Sequence, residues 1–218
     1  MAGRIYPAQF SRISSHLRNQ GHLNRNYNVE ASSKQDIRKD ARKRRSCFVE
    51  SLPPAALRFA FHAPPTPLLR MIAPASCVAL YMPMGSEAPA DGYAGMLIES
   101  GKQLCLPCLE GNDPGMIFRR WSPADSLAPG HASVGQPLPE APAVVPDAII
   151  APLLAFDRRL NRLGQGGGHY DRTFARYRHA LRIGLAWSAQ ERDDLILDPW
   201  DVPLHAIVTE CEFLEGSQ

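Results

Sequence analysis

"RLGQGGGHYDR", residues 162–172, places four of the chain's 16 glycines within five positions, between an arginine and a histidine–tyrosine–aspartate run. The buried-type stretch DAIIAP (147–152) precedes it and a helical pattern over about 170–181 follows it. A strand, a glycine loop and a helix start in succession describe an anion site. Glycine lets the backbone come close to phosphate, and a helix N-terminus presents unpaired N–H groups with positive partial charge. Neither of the common phosphate motifs is present. No Lys-Ser/Thr pair follows the glycines, and His169 stands where the third glycine of G-x-G-x-x-G belongs. A bare strand–helix turn needs one glycine. Gly164, Gly166, Gly167 and Gly168 are all present, although a glycine costs roughly 0.5–1 kcal/mol of ordering free energy. That surplus points to a phosphate ligand. Arg162 can grip phosphate oxygens as a fork. Asp171, in the first helical turn, suits either the helix dipole or a Mg2+ ion beside phosphates. Taken alone, Arg162 and Arg172 also read as surface ion-pair partners.

Outward from this stretch the chain alternates strands and helices. Ser33 and Asp36 stand in capping-box spacing at the start of a helix whose stripe is Ile37, Ala41 and Phe48, with Lys34, Arg38, Lys39, Arg42, Lys43 and Arg45 around it. Residues 53–74 are proline-rich and ambiguous, with a short helix at 55–62. CVALYM (77–82) reads as a strand, 82–91 as a loop, and 93–100 as a helix stopped by Gly101. Short strands follow at 103–106 and 116–121. Residues 122–146 hold six prolines and read as a long loop. RIGLAW (182–187) and HAIVTE (205–210) are further strands. The expected fold is therefore α/β, with parallel strand pairs in one sheet.

The 218 residues suffice for one sizeable core, and no apolar run approaches the roughly 20 residues of a membrane helix. Five cysteines, an odd number, without a visible secretory signal favour a reducing, cytoplasmic setting. Residues 1–45 carry 11 Lys/Arg against 3 Asp/Glu, net +8, and the rest 13 against 19, net −6. The basic front reads as a disordered extension over 1–31 plus one charged helix face. Its acid-poor composition resembles a transit peptide, and a start codon placed too far upstream would look the same. Cys105-Leu-Pro-Cys108 lacks the helix start of a redox pair and the second pair of a zinc site.

The stretch PLLAFDRRLNRLGQGGGHYDR resembles the signature of the 5-formyltetrahydrofolate cyclo-ligase family, roughly P-x-x-A-F-D-x-x-G-x-R-L-G-x-G-x-G-Y-Y-D. Six further segments resemble that family in order. They are KQDIR (34–38), YMPMGSEAPADGYAGML (81–97), GKQLCLP (101–107), DAIIAP and the closing pair IGLAWSAQ (183–190) and DVPLHAIVTE (201–210). Together they span about residues 33–210. The resemblance implies a single-domain sandwich over 32–218, with a mostly parallel central sheet flanked by helices (cyclo-ligase-like, NagB/RpiA/CoA-transferase-like). It implies ATP- and Mg2+-dependent closure of 5-formyltetrahydrofolate, with or without a polyglutamate tail, to 5,10-methenyltetrahydrofolate. ADP and phosphate are released through a phosphorylated formyl intermediate.

By matching position, Lys34, Arg38 and the run Arg162, Leu163, Gly164, Gln165, Gly166, Gly167, Gly168, His169 and Tyr170 would hold ATP. Arg162, Gly166, Gly168 and Tyr170 would act in catalysis. Arg38, Met82, Glu87, Gln165 and His169 would contact the folate, and Asp171 and Asp201 would hold Mg2+. Without the resemblance, Glu87 is a solvated loop carboxylate, Lys34 and Arg38 a solvated helix face, and Asp201 a turn residue. Three positions depart from the pattern. His169 replaces the first tyrosine of a Tyr-Tyr pair and adds an imidazole, which titrates near physiological pH. Leu160 replaces a glycine two residues before the arginine. His205 replaces a frequent aspartate. A monomer or weak dimer is expected, with no membrane or nucleic-acid partner. Two rivals remain open: a related enzyme acting on another substrate, and a nucleotide- or RNA-binding protein that kept the fold without the reaction.

Overall fold

The computed structural model describes residues 33–109 and 115–216, so the expected extension over 1–31 lies outside the described residues. Helix α1 (Lys34–Ser51) starts at a complete capping box. Ser33 Oγ accepts from the Asp36 N–H, and the Asp36 carboxylate accepts from the Ser33 N–H. Its buried face holds Ile37, Ala41, Arg45 and Phe48. Helices α2 (Pro54–Phe59) and α3 (Thr66–Met71) each carry proline in the first two positions, where no backbone donor is missed. The prolines that made 53–74 ambiguous thus open helices instead of preventing them.

Strands β1 (Cys77–Ala79), β2 (Gln103–Cys108) and β3 (Ile117–Arg120) bracket helix α4 (Ala94–Glu99). A hairpin of β4 (Leu127–Pro129) and β5 (Gly135–Pro137) and the short β6 (Ala143–Val144) occupy the region read as plain loop. Strand β7 (Ala148–Pro152) leads to the hairpin β8 (Ala155–Phe156) and β9 (Arg162–Leu163), then to α5 (His169–Arg176). Strands β10 (Leu181–Leu185), β11 (Ala206–Val208) and β12 (Phe213–Glu215) close the chain. Helix α5 stops at Arg176 rather than continuing to 181: the backbone of Tyr177, its C-cap, leaves the helical region at ψ 59°, and the Tyr177 ring packs edge-on against Phe118, with centroids 5.3 Å apart.

The main sheet has the order β12-β11-β10-β7-β1-β2-β3-β6. The five central strands are parallel, and β12, β3 and β6 add antiparallel edges. The central strands are apolar throughout because both faces are covered. Val78, Leu80, Ile150 and Ile183 face a core built with Phe48, Leu68, Ile72 and Leu97 from helices α1 to α4 or their caps. Cys77, Ala79, Ile149, Ala151 and Ile207 face the other way, onto Phe174 of α5 and Leu160. Helices on both faces of a mostly parallel sheet are the α/β sandwich expected from the sequence. Among the described residues, no helix is long and apolar enough to cross a membrane.

Two of the departing residues have structural roles. Leu160 closes the β8–β9 hairpin at φ 65°, the left-handed region, which explains a glycine in the family pattern. A leucine there costs about 1–2 kcal/mol of strain. It stays because its side chain is buried in the second core, while its carbonyl accepts from the Leu204 N–H at 2.9 Å. His205 joins β10 to β11, its Nδ1 accepting from the Arg182 N–H at 2.9 Å. Burial first, and the Arg182 charge second, hold the imidazole below its usual pKa. The folded state therefore resists protonation relative to the unfolded chain. Stability is full above the unfolded pKa of about 6.5 and is lost as pH falls through the lower folded value. Urea midpoints measured at about pH 7.5 and about pH 5.5 should differ less in His205→Asn than in the parent. An equal difference in both would remove His205 from the acid response.

The cysteines form no redox pair of the C-x-x-C kind. Cys105 and Cys108 lie on one strand, and the Cys105 thiol instead meets Cys77 of the neighbouring strand at 3.6 Å. That contact and burial push the Cys105 thiol up, away from thiolate character.

Candidate active site

The polar stripe of α1 runs beside the glycine loop. Lys34, Arg38, Arg42 and Arg45 recur at helical spacing and all face one cavity of about 820 Å³. The cavity's other walls are the loop after β1 (82–87), the glycine loop with the start of α5, the tip of the β4–β5 hairpin and the turn 198–201. All the site residues predicted from the sequence line it, from Lys34 and Glu87 to Asp171 and Asp201. Sequence distance hides this arrangement, since Lys34 Nζ reaches across 164 residues to Asp198.

The glycine loop passes twice through the left-handed region, at Gly166 (φ 107°) and Gly168 (φ 65°), the second as the N-cap of α5. A Cβ on Gly167 would sit 2.7 Å from the His169 ring, so this glycine makes room for the imidazole to lie back over the loop. The loop is held to α1 by its own backbone and by Gln165. Arg38 Nε donates to the Gly164 carbonyl at 3.1 Å, and Arg42 Nη2 to Gln165 Oε1 at 3.1 Å.

Arg162 is buried at the start of the loop. Its Nη2 meets Asp171 Oδ1 at 2.5 Å, and its guanidinium lies 4.9 Å from the Phe174 ring centroid. Its Nε, also buried, has no hydrogen-bond partner among the described residues. A buried guanidinium with a spare donor at the edge of a glycine cradle is a pre-set anion grip. At the far side Lys34 Nζ lies 2.5 Å from Asp198 and 2.7 Å from Asp201. Burial by itself would lower the Lys34 pKa, but the two carboxylates raise it. Burial would likewise raise Asp201, yet the Asp198 N–H and Lys34 hold it below the usual carboxylate range. Lys34 and Asp201 therefore stay ionised at neutral pH, and with two carboxylates on one ammonium this end of the cavity carries a net negative charge.

Glu87 marks the other end. It is buried, accepts from the Met84 N–H at 3.0 Å and from Gln165 Nε2 at 3.3 Å, and faces Arg45 Nη1 at 3.7 Å. Arg45 also donates to Ser86 Oγ at 3.1 Å, and Trp187 Nε1 donates to the Ser86 carbonyl at 3.0 Å. The core thus fixes the loop that carries Glu87. Burial, and Glu87 after it, push the Tyr170 phenol up, so it remains a neutral O–H donor at physiological pH.

The structure also brings in residues that the sequence reading passed over. Arg45 read only as one of a basic ring, although its spacing of eleven from Lys34 continues the stripe. Asp198 and Trp200 sat in a proline turn with no local pattern. His131, at the hairpin tip, approaches His169 with ring centroids 5.8 Å apart.

Residues 30–210 match the model of the 5-formyltetrahydrofolate cyclo-ligase family. The 5-formyltetrahydrofolate cyclo-ligase of Escherichia coli (strain K12) is 32% identical over 148 residues, covering 65% of this chain and 81% of that protein. The enzyme of that name from Haemophilus influenzae is 31% identical over 138 residues, covering 60% and 74%. Among solved structures, a 5,10-methenyltetrahydrofolate synthetase from Aquifex aeolicus superposes with a TM-score of 0.58 at 28% identity, covering 93% of this chain and 92% of that one. A 5,10-methenyltetrahydrofolate synthetase from Mycoplasma pneumoniae has a TM-score of 0.61 at 24% identity, covering 82% and 99%, and supports the fold.

Proposed function

Because this chain belongs to the 5-formyltetrahydrofolate cyclo-ligase family, we propose that it closes 5-formyltetrahydrofolate to 5,10-methenyltetrahydrofolate, with ATP as co-substrate. The observation that carries this reading is one cavity shared by the phosphate cradle and the buried Glu87 carboxylate. A phosphate grip and an acceptor for ring N–H groups in one cavity suit a reaction between a nucleotide and a pterin.

In the proposed chemistry the formyl oxygen attacks the γ-phosphorus and the bond to ADP breaks. N10 then attacks the formyl carbon, the N10 proton is lost to solvent and phosphate leaves as the ring closes. Such phosphoryl transfer needs alignment and charge neutralisation more than a protein nucleophile. Arg162 would fork onto the transferred phosphate, and the turns at Gly166 and Gly168 bring backbone donors close to it. Lys34 and Arg38 would steady the nucleotide. Glu87 would accept from pterin N–H groups beside Met82. Gln165 and His169 would lie between the two, and neutral Tyr170 can donate to an oxygen that gains charge.

The donor set suits Mg2+. Asp171 and Asp201 offer hard carboxylate oxygens beside the loop, paired with Arg162 and with Lys34 respectively. Among the described residues no group of three or more His, Cys, Asp or Glu forms a closed metal site. Mg2+ typically takes one or two carboxylates plus phosphate oxygens, so these two residues would hold it. Bound there, the ion would neutralise triphosphate charge. Five free cysteines fit a reducing cytoplasm, and we take the working unit to be a monomer or weak dimer.

The test is turnover. Purified protein given 5-formyltetrahydrofolate, ATP and Mg2+ should produce near-ultraviolet methenyl absorbance and stoichiometric ADP. A folded, ATP-binding protein that yields neither would sink the proposal. His169, close to His131, favours as second reading a related enzyme with altered substrate preference. If the imidazole takes part, His169→Tyr should remove an inflection from the pH–rate profile. An unchanged profile would return His169 to a packing role.

A further inference from the structure

Trp200 is 69% exposed, whereas Trp121 and Trp187 are 6% and 1% exposed. It belongs to none of the buried cores. Yet its backbone is firmly mounted. The Asp201 N–H donates to the Asp198 carbonyl at 3.0 Å, and the Asp198 N–H to Asp201 Oδ2 at 2.8 Å. Lys34 clamps both carboxylates, and Trp200 is among the residues that line the cavity. A large amphipathic ring on a rigid turn, open to a ligand cavity, has the character of a stacking platform.

Position decides what stacks there. Lys34, which grips this turn, and Arg45, which faces Glu87, lie eleven residues apart on α1, about 16 Å along the helix axis. Glu87 and Trp200 therefore mark opposite ends of the cavity, with the glycine loop between them. With a pterin at Glu87 and phosphates on the loop, the rest of the nucleotide extends away from the pterin, toward Trp200. Charge agrees with this order. Asp198 and Asp201 flank the ring and would repel an acidic folate tail, while an uncharged purine with an amino donor is compatible with them. From these observations we propose that Trp200 stacks on the purine ring of the nucleotide co-substrate. This rests on the ATP reading above.

Tryptophan emission gives a readout independent of turnover, because Trp200 is the exposed member of the three. MgATP should shield it from acrylamide quenching, whereas magnesium tripolyphosphate should bind without shielding. Trp200→Ala should weaken ATP binding by about 5- to 150-fold, the range of base–aromatic stacking. It should leave tripolyphosphate affinity and the folate KM within about 2-fold, and Trp200→Phe should recover most of the loss. Unchanged ATP affinity in Trp200→Ala, or shielding by 5-formyltetrahydrofolate in place of ATP, would overturn the inference. Shielding by ATP without any turnover would uphold it while removing the ring-closure proposal. Normal turnover with an indifferent Trp200→Ala would do the reverse.

Discussion

Arg162→Met should lower kcat/KM for ATP by about 10²- to 10³-fold, the loss typical when a pre-set donor to a developing charge is removed. Arg162 is held by Asp171 at 2.5 Å and by the Phe174 face, so its guanidinium pays little reorganisation on meeting phosphate. The unpartnered Nε shows that the protein does not use all its donors internally. Methionine fills most of the side chain's volume, and Asp171, 23% exposed at its side chain, can turn to water. The fold should therefore survive, and urea midpoints would check this. Arg162→Lys keeps the charge and loses the fork, so it should recover less than about tenfold. Initial rates against ATP at saturating folate decide the matter. A variant within about 3-fold of the parent would remove Arg162 from the phosphate grip.

Much of this site was legible because its signals are local. The capping box at Ser33 and Asp36, the apolar runs of β7 and β10, and the helix start after the glycine loop each lie within one short window, and the structure has all of them. The loop's glycines have local causes too, positive φ at Gly166 and Gly168. What escaped depends on tertiary context. The β4–β5 hairpin was read as loop because of its prolines, yet Pro129 and Pro137 sit at the ends of an isolated two-stranded pair, where a missing N–H does no harm. Its tip passes through positive φ at Ala132 and Ser133, a conformation that neither residue favours by itself. Leu160 likewise adopts a glycine's conformation because burial offsets the strain. The pairing of Lys34 with Asp198 and Asp201 joins opposite ends of the chain and has no sequence signature at all.

Arg45 and Glu87 supply the largest expected effect on stability. Both side chains are 5% exposed and face each other at 3.7 Å. Truncating one member of a buried pair strands the other charge, and Arg45→Met should destabilise the fold by about 3–5 kcal/mol, read as a urea-midpoint shift. Glu87→Gln alone would strand Arg45 less severely, because Ser86 Oγ and the Leu153 carbonyl also accept from it. The double variant Arg45→Met/Glu87→Gln removes both charges, so it should recover most of the loss, and the coupling between the sites should be strongly non-additive. Folate use should separate from stability. If Glu87 meets the pterin, every variant lacking its carboxylate should show a raised folate KM, including the restabilised double variant. ATP KM should change little, because the phosphate cradle is untouched. A double variant that regained both stability and parental folate KM would leave the pair as structural cement and move the pterin contact elsewhere. Additive destabilisation would instead mean that the two charges do not sense each other, despite their distance.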